Sequence, residues 1–208
     1  MSEEFYGTDL KESAIDDLEK LSKFVELAKQ DKTYWKWVII AIHSSLYNFM
    51  LLALSGGSVY SEIWERVEKK KVGLVDKIEF FDSNPNPKKR KLFNPKNRII
   101  CFQQAFKRIK DAKKMGGKAF VSNPDIDEAM EVLNTELRNQ FIHFKPVDWL
   151  IETNLMKKII QEVLPIISFI TSEFRKEGIG RVRVLIEENE QLAVSELLKK
   201  IISETQFK

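Results

Sequence analysis

Arg138-Asn139-Gln140-Phe141-Ile142-His143 places an arginine five residues before one of the chain's two histidines. These residue types suit chemistry on a phosphodiester. A histidine with a pKa near neutrality can take or return a proton. A guanidinium offers a fixed charge and a planar fork of donors for phosphate oxygens. Asn139 can orient either partner by hydrogen bonding. RNA carries its own nucleophile, the 2′-hydroxyl. Removing that proton, protonating the leaving 5′-oxygen and neutralising charge at phosphorus would therefore need no metal. Two proton transfers are best served by two groups, and pairing two copies of the chain across a two-fold axis would double the set.

The spacing constrains the geometry. Residues five apart on an unbroken helix point roughly 140° away from each other. Arg138 and His143 are therefore unrelated, or separated by a helix break, or completed by a second copy. Lys145-Pro146 favours a break, because the residue before a proline is driven out of the helical region. Arg138 can also be read as a cation at a helix C-terminus, with His143 an ordinary histidine among Phe141, Phe144 and Trp149. Glu136 could position Arg138 or lie on the solvated face. His43 falls within the apolar run Ala41-Ile42-His43. It is expected to be a buried, hydrogen-bonded structural histidine, and it could also face the motif with a further polar group. No histidine, cysteine or carboxylate cluster has metal-ligand spacing, and no glycine-rich phosphate loop is present. Neither metal nor cofactor is expected.

The supporting elements read as helices. Apolar residues recur at helical spacing in 9–29, and 34–55 is apolar on nearly all sides, ending at Gly56-Gly57. Ser58 or Ser61 is expected to cap a helix reaching about Lys71. Residues 73–95, with Pro85, Pro87 and Pro95, read as a long connection. A basic helix is expected from Asn97 to Met115 and another over 125–140, started by Asn123-Pro124. Asp148 would cap a helix from Trp149 to Lys176 that Pro165 could kink. The span 181–186 is ambiguous. Asn189–Ser203 reads as a terminal helix whose apolar stripe includes Leu192, Val194 and Leu198. The expected fold class is all-α: a single bundle of about six or seven helices. Its core spans about 33–175, with 9–29 and 178–208 as additions.

Composition narrows the class. A chain of 208 residues with 43% hydrophobic and 31% charged content fits one globular core. The single cysteine, Cys101, lies in an apolar run and is expected in the core, with no disulfide, as in a reducing, cytoplasmic compartment. The acidic N-terminus does not read as a signal peptide. The apolar run from Trp35 to Leu54 contains Lys36, His43 and Asn48, so it reads as a buried helix and not a membrane span. The net charge of +3 hides an asymmetry: between Lys88 and Lys118, Asp111 is the only acid. Lys88, Lys89, Arg90, Lys91, Arg98, Lys107 and Arg108 are the expected RNA contacts if this side faces a polyanion. The alternative is a solvated loop and helix face.

The hexapeptide resembles the Arg-polar-x-x-x-His motif of the HEPN family, and the helical pattern extends the likeness over roughly 33–175. The resemblance implies a helical, homodimeric, metal-independent endoribonuclease with Arg138, Asn139 and His143 in its active site. It also implies a toxin or antiviral-defence role and a cognate nucleotidyltransferase-like antitoxin as partner. Some family toxins carry a tyrosine two residues after the histidine. Here that position is Lys145, a departure from that subgroup's pattern. The competing functions are a non-catalytic module binding RNA or a nucleotide, and a purely structural bundle.

Overall fold

The computed structural model describes residues 9–56, 60–66, 97–142, 150–173 and 186–206. Its first helix, α1 (Leu10–Ala28), starts at a capping box. Asp9 Oδ1 accepts from the Glu12 amide at 2.8 Å, and Glu12 Oε2 accepts from the Asp9 amide at 3.3 Å. Ala14, Leu18, Leu21, Val25 and Ala28 form its buried stripe. A short turn over Lys32–Tyr34, capped by Asp31, leads into α2 (Trp35–Gly56).

The second helix is the axle of the fold. Val38, Ile39, Ile42, Leu46, Phe49, Met50, Ala53 and Leu54 are all buried. Each large aliphatic or aromatic chain so enclosed contributes about 1.5–3 kcal/mol relative to exposure. The polar residues among them are satisfied by α1. Ser44 Oγ donates to Asp17 Oδ2 at 2.6 Å, Asn48 Nδ2 donates to the same oxygen at 3.1 Å, and Ser45 Oγ donates to the Ala14 carbonyl at 3.1 Å. Lys32–Ser55 is long and apolar enough to cross a membrane, and 67% of its most apolar window is buried inside the bundle.

After α2 come a turn over Tyr60–Ile63 and a small antiparallel ribbon, β1 (Trp64–Arg66) against β2 (Asn97–Ile99), with Glu65 opposite Arg98. Two expectations are corrected here. No helix runs on from Ser61, because the chain is already extended at Trp64. The basic helix begins not at Asn97 but at Phe102, giving α3 (Phe102–Ile109), followed by turns to Gly117. Cys101 is also not a core residue. It is exposed at the N-cap of α3, where its amide donates to Gln104 Oε1 at 3.2 Å. Gly116 and Gly117 have φ of +68° and +110°, and the Gly117 amide closes the turn on the Ala112 carbonyl at 2.7 Å.

Asn123 and Pro124 start α4 (Pro124–Val132) as expected, with Asn123 Oδ1 accepting from the Ile126 amide at 2.8 Å. A π turn (Leu133–Leu137) and α5 (Arg138–Ile142) continue the same helix. Then α6 (Thr153–Glu173) runs through Pro165 and buries Met156, Ile159, Ile160, Val163, Leu164, Ile167 and Ile170. It packs on α2, α4 and α7 (Glu188–Thr205). The last helix returns to α1. Lys11–Glu190 at 2.8 Å and Lys200–Glu26 at 3.2 Å pair like ends, so α1 and α7 run parallel. On α7, Leu192 is 62% exposed, so it leaves the core stripe expected for it. The fold is all-α, with the ribbon its only sheet among the described residues.

Candidate functional site

The segment 124–142 carries the first half of the motif, and its backbone departs from α geometry just before it. The Arg138 amide donates to the Leu133 carbonyl, five residues back instead of four. One extra residue is thereby accommodated. Relative to a regular α-helix, the face on which Arg138 emerges turns by roughly 100°. The helix runs uninterrupted to Ile142, so no break separates Arg138 from Ile142. His143 lies outside the described residues, as do Lys145, Pro146, Asp148 and Trp149.

Arg138 is half-buried and held by its neighbour. Its Nη1 donates to Asn139 Oδ1 at 3.0 Å, and Asn139 Nδ2 donates to the Thr135 carbonyl at 3.2 Å. Both polar atoms of Asn139 are thus engaged, and the guanidinium is tied back to the π turn. Arg138 Nε is enclosed without a hydrogen-bond partner among the described residues, and so is Gln140 Oε1. An enclosed donor left unpaired costs about 1–3 kcal/mol, more if charged. Glu136 is exposed, and no ion pair joins it to Arg138 among the described residues.

His43 approaches this helix from α2. Its Nε2 lies 3.1 Å from Asn134 Oδ1, in the π turn, which makes Nε2 the protonated nitrogen. The ring stacks on Phe102 at 4.2 Å with 16° between planes. Burial drives the His43 pKa down from 6.5 to about 4; the Asn134 bond opposes this and the Arg138 charge adds to it. The imidazole is therefore neutral near pH 7 and serves as a hydrogen-bond donor. One turn along α2, Tyr47 donates to the Ile100 carbonyl, and its ring also lies against Phe102, 6.2 Å between centroids. Asn134 and Phe102 were not singled out from sequence. The only signal was an asparagine four residues before Arg138.

The basic residues expected to meet RNA divide in three. Lys88, Lys89, Arg90 and Lys91 lie outside the described residues. Arg98 pairs with Glu65, and Arg108 donates to the Glu62 carbonyl, with its Nη1 3.9 Å from the Glu62 carboxylate. Lys107 is exposed on α3. Nearby, Lys114 pairs with Glu62 at 2.8 Å and Lys110 with Asp127 at 2.8 Å. Acids distant in sequence thus pair with Arg98, Arg108, Lys110 and Lys114 of the stretch that looked unopposed. Hydrogen bonds from Gln104 first, and then from Arg98, hold the Glu65 carboxyl below its ordinary range.

A depression of about 920 Å³ lies elsewhere, between the end of α6 and the start of α7, lined by residues such as Ser168, Thr171, Glu187 and Asn189. No basic side chain lines it among the described residues. No group of three or more histidine, cysteine or carboxylate residues able to hold a metal occurs among the described residues. Comparison with protein-family models, curated proteins and solved structures finds no match.

Proposed function

We propose that this chain is a metal-independent endoribonuclease of HEPN type, with Arg138, Asn139 and His143 from two copies lining one groove. The observation that carries this reading is the state of Arg138. Its guanidinium is oriented by Asn139, and its Nε is enclosed without a partner among the described residues. A fixed guanidinium stabilises the extra charge of a phosphorane without reorganising at the moment of reaction. In the proposed step the 2′-oxygen bonds to phosphorus and the bond from phosphorus to the 5′-oxygen breaks. One His143 takes the 2′-hydroxyl proton while the partner's His143 protonates the leaving oxygen. The products are a 2′,3′-cyclic phosphate and a 5′-hydroxyl.

Dimer formation is supported by exposed apolar chains within the motif and shortly after it in sequence. Ile142 is 45% exposed, Leu150 fully exposed, and Leu155 44% exposed. A toxin or antiviral-defence role with a nucleotidyltransferase-like antitoxin belongs to the same reading, and rests on the motif alone.

The test is incubation with single-stranded RNA in EDTA, with analysis of product ends. The expected result is cyclic-phosphate ends in the wild type and a loss of about 10²–10³-fold in Arg138→Ala, the scale of removing one oriented charge-stabilising donor. His143→Ala should lose activity at least as far. Cleavage that needs a metal, or that survives Arg138→Ala and His143→Ala, overturns the reading. Salt-sensitive RNA binding without cleavage would identify a binding module instead.

A further inference from the structure

We infer that His43 is a positioning residue for Arg138, acting through Asn134 and the π turn; the inference rests on the proposed role of Arg138. Three observations meet here. The His43–Asn134 hydrogen bond ties α2 to the π turn, across 91 residues of sequence. Asn134 is the second residue of that turn, and the hydrogen bond that closes the turn, from an amide to the carbonyl five residues back, is donated by Arg138 itself. His43 cannot swing freely, because its ring is stacked on Phe102 and partly enclosed.

A π turn is less favourable than the α-helix it interrupts, and an external hold is what keeps it in place. Among the described residues, Thr135 Oγ1 bonds only the Glu131 carbonyl of its own helix, and Glu136 faces solvent. Asn134 is the residue of the turn whose side chain is bonded to another element. If the His43 donor is lost, the cheapest relaxation is a return to α geometry. That return rotates Arg138 by roughly 100° and takes the guanidinium off its present face. His43 thus does no proton transfer. It sets where the fixed charge points.

Two variants separate this from simple packing. His43→Phe keeps an aromatic ring against Phe102 and removes the donor. His43→Gln keeps an N–H donor at similar reach and removes the ring. The first readout is hydrogen exchange of the amides of residues 133–142 in the full chain. His43→Phe is expected to speed exchange there about tenfold, with α1 and α6 unchanged, and His43→Gln to restore most of the protection. The second readout is RNA cleavage in EDTA. There kcat should fall about 10–100-fold in His43→Phe with KM changed little, and recover in His43→Gln. Wild-type exchange in His43→Phe, or a glutamine variant no better than the phenylalanine one, overturns the inference. If the wild-type protein cuts no RNA, the nuclease reading fails alone, and the exchange pattern still decides whether His43 holds the π turn.

Discussion

Lowering the pH should withdraw a specific part of this protein's stability, and His43 is its source. The imidazole has its pKa moved from 6.5 to about 4 by burial, with the Arg138 charge adding to the effect. The groups facing it from other elements are Asn134, Phe102 and Arg138, and of these only Arg138 is charged. A base with a depressed pKa favours the folded state when neutral. Its contribution is complete above about pH 6.5 and is lost as pH falls towards 4, where the folded form must also accept the proton. The gap between 6.5 and about 4, at about 1.4 kcal/mol per pH unit, sets a ceiling of about 3 kcal/mol. Residual solvent contact lowers this to about 2 kcal/mol. The assay is urea unfolding of wild type and His43→Gln at steps from neutral pH down to about pH 4. Other carboxylates titrate in both proteins, so the difference between them isolates His43. The wild type's advantage should shrink by about 2 kcal/mol on acidification, or about 4–8 °C in melting temperature for a chain this long. A difference that stays flat across the range would refute the burial argument and the neutral-donor role with it.

Further outcomes follow from local structure. Asn123→Ala removes the α4 cap. It should cost about 1 kcal/mol by chemical denaturation, with Asn123→Asp close to neutral. Asp17→Ala strands Ser44 and Asn48 between α1 and α2. It should cost about 1–3 kcal/mol in the same assay. A surface change such as Glu19→Ala should cost less than about 0.5 kcal/mol. Gly117 has a φ of +110° with open space where a new Cβ would stand. Gly117→Ala should therefore destabilise through backbone strain alone, by about 1–2 kcal/mol. An unchanged unfolding midpoint would argue against that turn.

The helices that depend on local rules were legible in the chain. Asn123 with Pro124, and the apolar face from Ala14 to Ala28, declare themselves through spacing alone. Non-local determinants were not. The 97–99 segment looked like the start of a basic amphipathic helix, but it pairs with 64–66, and nothing near Arg98 indicates Glu65 as its partner. Cys101 sits in an apolar run and still faces solvent, because the strand has ended at Ile99 and Cys101 caps the helix that follows. Arg138 and Asn139 were visible as a candidate pair. The π turn was not, since Leu133 to Leu137 reads like any other helical stretch and the carbonyl chosen by Arg138 leaves no trace in residue type. The partner of His43 was hidden for the same reason, being 91 residues away.

The parallel seating of α7 against α1 also bears on how the chain assembles. Lys200 and Glu26 are 174 positions apart, and they come together at one flank of the central helix. During synthesis the stripe of Leu18, Leu21 and Val25 can dock on α2 early, yet its far edge stays uncovered until α7, about 160 residues later, has left the ribosome. Closing so wide a loop is entropically slow, so final docking of the terminal helix is the expected late step in refolding.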